Sequence, residues 1–489
     1  MDNQQYILSP RDAYAAEQKW RVVKRSVDAR QRELRVHLTI LTDDKGNPIP
    51  KDAPIPLYEP PVFQDVHQAS RLAIIIGAGP AGLFAALTLI EHGIKPIIYE
   101  RGKEVSERKK DIALLNRNEG LNPESNYCFG EGGAGTFSDG KLFSRSKKRG
   151  NMQRVMELFH YFGAPDTVLY EAHAHIGSDK LPGIIRKMRE CILEHGGEIH
   201  FETKIDSLTP YTIRHTPIIL AIGHSAHDTY RMLAAEGVTL ETKGFAMGVR
   251  IEHPQALINK LMHYEGNVEF IGNASYSLVT QVNGRGVYSF CMCPGGHIVP
   301  AGSTPDSCVV NGMSASHRNS PYANSGMVVQ INPEDIAGDD PLRGLAFQEE
   351  LERLAFEHGK APNIAPAQRM RDFVEGKESK SLPACSYLPG VVPSRMDLWL
   401  PAHIGRRLQQ GFRDFDRKYP GFLTNDAVIL GVESRSSSAV RIPRDPDTLQ
   451  SISTPSLYPC GEGAGYAGGI TSSALDGINA ALKIAALAQ

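Results

Sequence analysis

Two stretches of this chain place glycine where a bare backbone could do chemistry. They are Gly77-Ala78-Gly79-Pro80-Ala81-Gly82 and Gly130 to Gly135 within "YCFGEGGAGTFSDGKLF", and both spell G-x-G-x-x-G. That spacing lets amide groups approach a phosphate closely. Other residues carry reactive side chains. Cys291 and Cys293 form a Cys-x-Cys pair, which could be a redox dithiol, part of a metal site, or two packed thiols on one strand face. No second cysteine pair completes a zinc or iron–sulfur spacing. No metal is therefore expected, and packed thiols are the leading reading. His297, after Gly295-Gly296, reads as a general acid or as a turn histidine satisfied by backbone. Arg435, before Ser436 to Ser438, could take a carboxylate or phosphate, or pair with Glu433. Asn311, Arg318 and Asn324 form a polar cluster without identifiable partners. His173 and His175 lack a third ligand at metal spacing and read as structural or cofactor-adjacent.

The elements around the two glycine stretches separate them. Before Gly77 lies the β-branched run of a buried strand, Arg71 to Ile76. After Gly82 comes the helical pattern Leu83, Ala86, Leu87, Ile90, and then a second strand, "KPIIYE", ending at Glu100. This is a βαβ dinucleotide-binding unit with every part in register: Gly77 for the tight turn, Gly79 for approach to a pyrophosphate, Gly82 for helix packing, Glu100 for ribose hydroxyls. The span from Leu72 to Ile90 is uncharged for almost a membrane helix, but its central glycines and proline break that reading. The second stretch has no strand before it and no amphipathic helix after it. It reads as a glycine-rich loop, either a surface loop or one lying against a flat or anionic ligand.

Composition sets bounds. The chain has 489 residues, 41% hydrophobic and 22% charged, with a formal net charge of -2. That is ordinary globular composition with room for two or three domains. It offers no general attraction to nucleic acid; "RSKKRG" (145–150) reads as a solvated loop. Seven cysteines are too few and too scattered for a disulfide framework, and the N-terminal stretch has no basic region followed by an apolar one, so a reducing cytoplasm is expected.

Further along, "DKLPGIIRKMRECILEHGGEIHFETKI" reads as an amphipathic helix stopped by Gly196-Gly197 and a strand to Ile205. "TPIILAIG" reads as a strand ending at Gly223. "SLYPCGEGAGYAGGITSSALDG" reads as a short strand, a glycine-rich turn and a helix capped near Thr471 or Ser472. Here the chain resembles flavoproteins of the glutathione-reductase and aromatic-hydroxylase type, and more closely a bacterial family of uncharacterised FAD-dependent dehydrogenases. The strings "GEGGAGTFSDGKL", "LAIGHSAHDTYRML", "YSFCMCPGGHIVPAGS", "GVESRSSSAVRI" and "CGEGAGYAGGITSSALDG" carry the closer resemblance, which covers nearly the whole chain.

The resemblance implies FAD as cofactor. It places Pro80 and Ala81 with the three glycines, and Glu100 with Arg101, around the ADP half. Ile205 would meet the adenine through its backbone, and Gly223 matches the middle turn. Gly132, Gly133, Gly135, Lys141 and Leu142 would wrap the flavin side. Gly461 and Glu462 match the family's "G-D" pair, with Glu for Asp, and Gly469 and Ile470 would lie beside the flavin.

The expected fold class is α/β: a discontinuous Rossmann-like FAD domain (66–235 and 425–489) flanking an inserted α+β substrate domain (236–424). A small N-terminal α+β module and proline-rich linker (1–65) precede it, with Ser9 as N-cap and Pro10 at the first helical position. The expected function is an FAD-dependent oxidoreductase, a reductase or dehydrogenase acting on a small organic substrate. NAD(P)H would bind transiently or not at all, since only one complete dinucleotide unit exists. The alternatives are an FAD-dependent monooxygenase and a flavin-binding regulatory or scaffold protein.

Overall fold

A computed structural model describes residues 2–30, 32–143, 150–212 and 215–487. The "RSKKRG" loop falls, except for Gly150, outside the described residues.

The βαβ unit forms as its residues dictate. Strand Leu72–Ile76 is central in a five-stranded, all-parallel sheet of order Leu457–Pro459, Ile218–Leu220, Leu72–Ile76, Lys95–Tyr99, Glu198–His200. Helix Pro80–Glu91 is buried along ten successive residues from Ala81 to Ile90, because helix Ile470–Ala486 covers one side of it. That approach needs glycine: a Cβ on Gly477 would stand 2.0 Å from Ala81 O. Helix Leu181–Glu194 presents Leu181, Ile184, Ile185, Met188 and Ile192 to the same core.

The second large unit is a seven-stranded sheet of order Val279–Val282, Arg285–Cys293, Tyr322–Ile331, Phe245–Pro254, Val428–Glu433, Ala365–Arg369, Val391–Pro393, antiparallel except for the last pair. Helices Arg343–Gly359 and Ala402–Lys418 bury Leu351, Ala355, Leu408 and Phe412 in its core. The sheet extends past residue 424, where the sequence reading ends the insert; the return to the parallel sheet is Leu457–Pro459. "VILGVE" is buried throughout, and such a run reads the same in either sheet.

Near the N-terminus, Ser9 caps a helix that opens at Pro10. The Asp12 N–H donates to Ser9 Oγ at the start of helix Pro10–Lys19, over an antiparallel sheet of Asp2–Leu8, Arg35–Thr42 and Val22–Asp28. Arg25 fastens it to the parallel-sheet unit through Glu171 at 3.0 Å.

Three local expectations fail. The strand after Gly197 stops at His200 instead of Ile205, because Glu202 (φ +52) and Thr203 turn their N–H groups to Gly102 O and Glu100 O. The C-terminal helix begins at Ile470 with Gly469 as a cap lacking a side-chain bond. Thr471 and Ser472 donate elsewhere, to Leu142 O and Gly468 O. Finally, Cys291 and Cys293 do not simply share a strand face: the register shifts between Phe290 and Cys293, and Cys291 has φ +44. Among the described residues no helix is long and apolar enough to cross a membrane, and no group of three or more His, Cys, Asp or Glu could hold a metal.

Candidate cofactor and substrate site

The first glycine loop separates glycines the fold needs from glycines it does not. Gly77 has φ +103, and a Cβ there would lie 2.4 Å from Ala221 O; a Cβ on Gly82 would lie 2.0 Å from Gly77 O. Both are demanded by packing. Gly79 is different: its φ is -76 and the nearest atom to an added Cβ is 3.7 Å away. It caps helix Pro80–Glu91 with no side-chain hydrogen bond, and the first turn carries no acidic residue. The positive end of that helix therefore has neither a capping side chain nor an acidic residue in its first turn, the form of an anion-binding helix start.

A second helix start repeats this. Gly468 and Gly469, before helix Ile470–Ala486, have nothing within 4 Å of an added Cβ, and the cap again has no side-chain bond. Gly468 falls outside the left-handed φ region that holds Gly469 at +94, so neither conformation nor packing requires glycine there. Gly223 (φ +70) also faces open space. Gly461 (φ +76) donates its N–H to Asp476 Oδ2 at 2.7 Å, and Asp476 is held by Arg444 at 2.7 and 3.0 Å. Glu462 stands 3.3 Å from His224 Nδ1, which brings the Gly223 and Gly461 turns together. Tyr230, fully buried, ties them by donating to Gly463 O at 2.7 Å. Ile205 packs against the cluster containing Ile74, Ile76 and Leu208.

The second glycine loop is built by charge. Arg108, fully buried on helix Val105–Asn116, donates to the carbonyls of Asn126 (2.9 Å), Tyr127 (3.1 Å), Gly130 (3.1 Å), Glu131 (2.7 Å) and Gly133 (2.9 Å). Desolvation lowers its pKa to about 10, so it remains charged at neutral pH. Glu100 joins the two loops: its carboxylate accepts from Ala78 N–H (2.8 Å), Gly102 N–H (2.9 Å) and Gly130 N–H (3.0 Å). Gly132 N–H donates back to Ala78 O at 2.8 Å. Gly133 therefore lies against Gly79, and Gly135 against Ile470. Arg101 is committed to Asp228 (2.9 Å, twice) and Glu124 (2.6 Å), above the Phe129 ring, so its charge is not free for a ligand.

The reactive candidates in the insert are held in networks. The buried Arg435 guanidinium grips Glu352 in two bonds, 2.9 and 2.7 Å, and Ser303 at 2.8 Å. Its partner is Glu352 rather than Glu433, and no free charge is left for an anion. Glu433 pairs with the fully buried Arg250 at 2.8 Å, and Arg250 also donates to Asn324 (2.9 Å), Asn311 (3.3 Å) and Cys291 O (2.8 Å) and lies 3.6 Å from Cys293 Sγ. Burial raises the Cys293 thiol, and the Lys141 and Arg250 charges offset part of this. Both cysteines are free thiols. Arg318 takes Asp139 at 2.9 and 2.5 Å, which gives the polar cluster its missing partners. His297 opens strand His297–Pro300 and is exposed. His175 Nε2 lies 3.1 Å from Ser316 O, and His173 meets the Phe143 ring.

Sequence reading missed Arg108, Arg444, Asp476 and Gly468. The only local signal for Arg108 was a cation on the side of its helix that carries Val105, Ile112 and Leu115.

Comparison with known proteins places the chain. It is 40% identical over 490 residues, 95% of its length and 91% of that protein's, to an uncharacterized protein of Clostridium beijerinckii. The chain belongs to that protein's family. Residues 244–436, essentially the seven-stranded sheet, match the family model described as FAD-dependent protein, C-terminal domain-like. More distant similarity extends to solved flavoenzymes. CtdE in complex with FAD is 10% identical, covering 85% of this chain and 84% of that one, with a TM-score of 0.30. The tetracycline destructase Tet(51) is 11% identical over 85% and 81%, TM-score 0.31; the halogenase PltM is 12% identical over 85% and 68%, TM-score 0.33.

Proposed function

We propose that this family member is an FAD-dependent oxidoreductase, a reductase or dehydrogenase whose organic substrate lies between the glycine-rich loops and the seven-stranded sheet. The observation that carries this is the pair Gly79 and Gly468: glycines at two uncapped helix starts, with no conformational or packing reason to be glycine. A dinucleotide fits that donor set. Its pyrophosphate would take the amides of the turn Gly79–Gly82 and the dipole of helix Pro80–Glu91. Its ribityl and flavin portions would run past Gly461, Glu462 and Gly132 to Gly135, toward the backbone of Lys141, Leu142, Gly469 and Ile470.

FAD, when bound, supplies two-electron hydride chemistry. The chain's own residues bind, orient and shield. Glu100 keeps the two loops in one register by accepting three amides, and its carboxylate keeps acceptor capacity for a ribose hydroxyl. Arg108 holds the second loop's carbonyls inward, leaving the loop's other face to the ligand. Thr471 ties the Leu142 carbonyl to the C-terminal helix start at 2.7 Å, which fixes the strip beside the substrate.

The test is the absorbance spectrum of purified protein, repeated anaerobically during titration with NADH and then NADPH. Oxidised flavin bands bleached by one nucleotide support a pyridine-nucleotide-linked reductase; bands that resist both support a substrate dehydrogenase. Protein that is colourless and cannot be loaded with FAD refutes the reading.

A further inference from the structure

An edge strand presents a row of unpaired N–H and C=O groups to other chains, and folded proteins blunt such edges. Five of the six edges of the three larger sheets are blunted here. Val22–Asp28 carries Lys24 and a register shift after Val22, and its Arg25 carbonyl accepts the Ala172 N–H at 2.9 Å. Val391–Pro393 and Leu457–Pro459 are three residues long and end in proline. Glu198–His200 is as short, and Glu198 takes Lys95 at 2.6 Å. Val279–Val282 has four residues, and Arg407 Nε donates to Val282 O at 3.4 Å.

Asp2–Leu8 has none of these devices. It runs seven residues without proline, lysine or arginine, and it pairs with Arg35–Thr42 in one unbroken register from Asp2 opposite Thr42 to Leu8 opposite Val36. Among the described residues nothing bonds to the backbone along its outer edge. Asp2 to Gln5 are exposed, Ile7 is 63% exposed, and Asp2 is the strand's one charge.

We propose that Asp2–Leu8 pairs antiparallel with the same strand of a second copy of this chain, joining the two N-terminal sheets into one. A register centred on Gln5 uses the whole strand: Asp2 meets Leu8, Asn3 meets Ile7, Gln4 meets Tyr6, and Gln5 meets Gln5 at the two-fold axis. Residues directly opposite share a face. In this register Asn3, Gln5 and Ile7 stay on the face that carries Leu41, Thr39 and His37, and no like charges meet. Capture of a foreign peptide fits less well. Peptide-binding edges add side-chain pockets to the main-chain bonds, whereas Asp2 to Gln5 are open on both faces and offer main chain alone. The sheet's other edge is closed by Arg25, Glu171 and Ala172, so the contact closes at two copies instead of growing. The inference stands independently of the FAD reading.

Sedimentation velocity of the full chain, with no residue before Met1, tests this over a range of about 1 to 100 μM. The mass should rise with concentration from 53.6 kDa toward twice that value. Gln5→Lys and Gln5→Glu each put like charges on the axis and should weaken association roughly fivefold or more, while an equal mixture of the two should restore it. Amide hydrogen exchange of residues 2–8, followed by mass spectrometry, should slow as wild-type concentration rises, a measurement that needs no variant. A chain that stays monomeric across the range overturns the proposal. So does a dimer that both variants leave intact, a mixture of folded variants no tighter than either alone, or concentration-dependent protection that spares residues 2–8.

Discussion

The two glycine-rich loops share one spacing and are built by opposite means. At Gly77 to Gly82 a strand and a helix enforce the geometry, and Glu100 adds one bond to it, from Ala78 N–H. At Gly130 to Gly135 regular structure shrinks to the short 3-10 turn Gly133–Gly135, and a buried guanidinium gathers five carbonyls in its place. A loop made by secondary structure exposes amides through the helix end. A loop made by a buried charge depends on that one charge.

The largest break in this comparison comes from Arg108→Met. Five carbonyls, four of them in buried bonds, would lose a donor, at a cost on the order of 4 kcal/mol or more. Thermal unfolding should show a large drop and FAD should be lost, while a comparable loss at any side chain of the first loop is not expected. Within that first loop, Gly77→Ala and Gly79→Leu should separate. The alanine meets Ala221 O and a φ of +103, so it should destabilise the fold; the leucine should leave a folded protein that purifies without FAD. A Gly79→Leu variant with full flavin occupancy would remove the ligand from the first loop.

Glu100→Gln tests the join. It replaces a charged acceptor of three amides by an amide with one acceptor oxygen, for about 2 kcal/mol. Weaker FAD retention with the helices intact is expected by circular dichroism.

The smallest effect is a pH dependence. Burial raises Glu131, whose side chain is fully buried, from the ordinary 4.5 to about 7. The folded state then binds more protons than the unfolded chain between those values, so stability should fall as pH rises through that window and level off above it. Glu252, also raised to about 7 by burial, contributes a slope of the same sign. Glu131→Gln should remove its own share in denaturant titrations at pH 5 and pH 8; an unchanged slope would contradict this.

The sequence by itself determined the βαβ unit, the N-cap at Ser9, the amphipathic helix Leu181–Glu194 and the glycines of the first loop. Each rests on neighbours within a few residues: apolar periodicity, turn chemistry, a capping hydroxyl. It could not show that "VILGVE" pairs with Phe245–Pro254, because a strand buried on both faces has no alternation to reveal its partner. Nor could it show that Arg435 is matched by Glu352, Arg250 by Glu433 and Arg318 by Asp139. Those pairs join residues distant in the chain, and only tertiary packing decides which buried charge meets which.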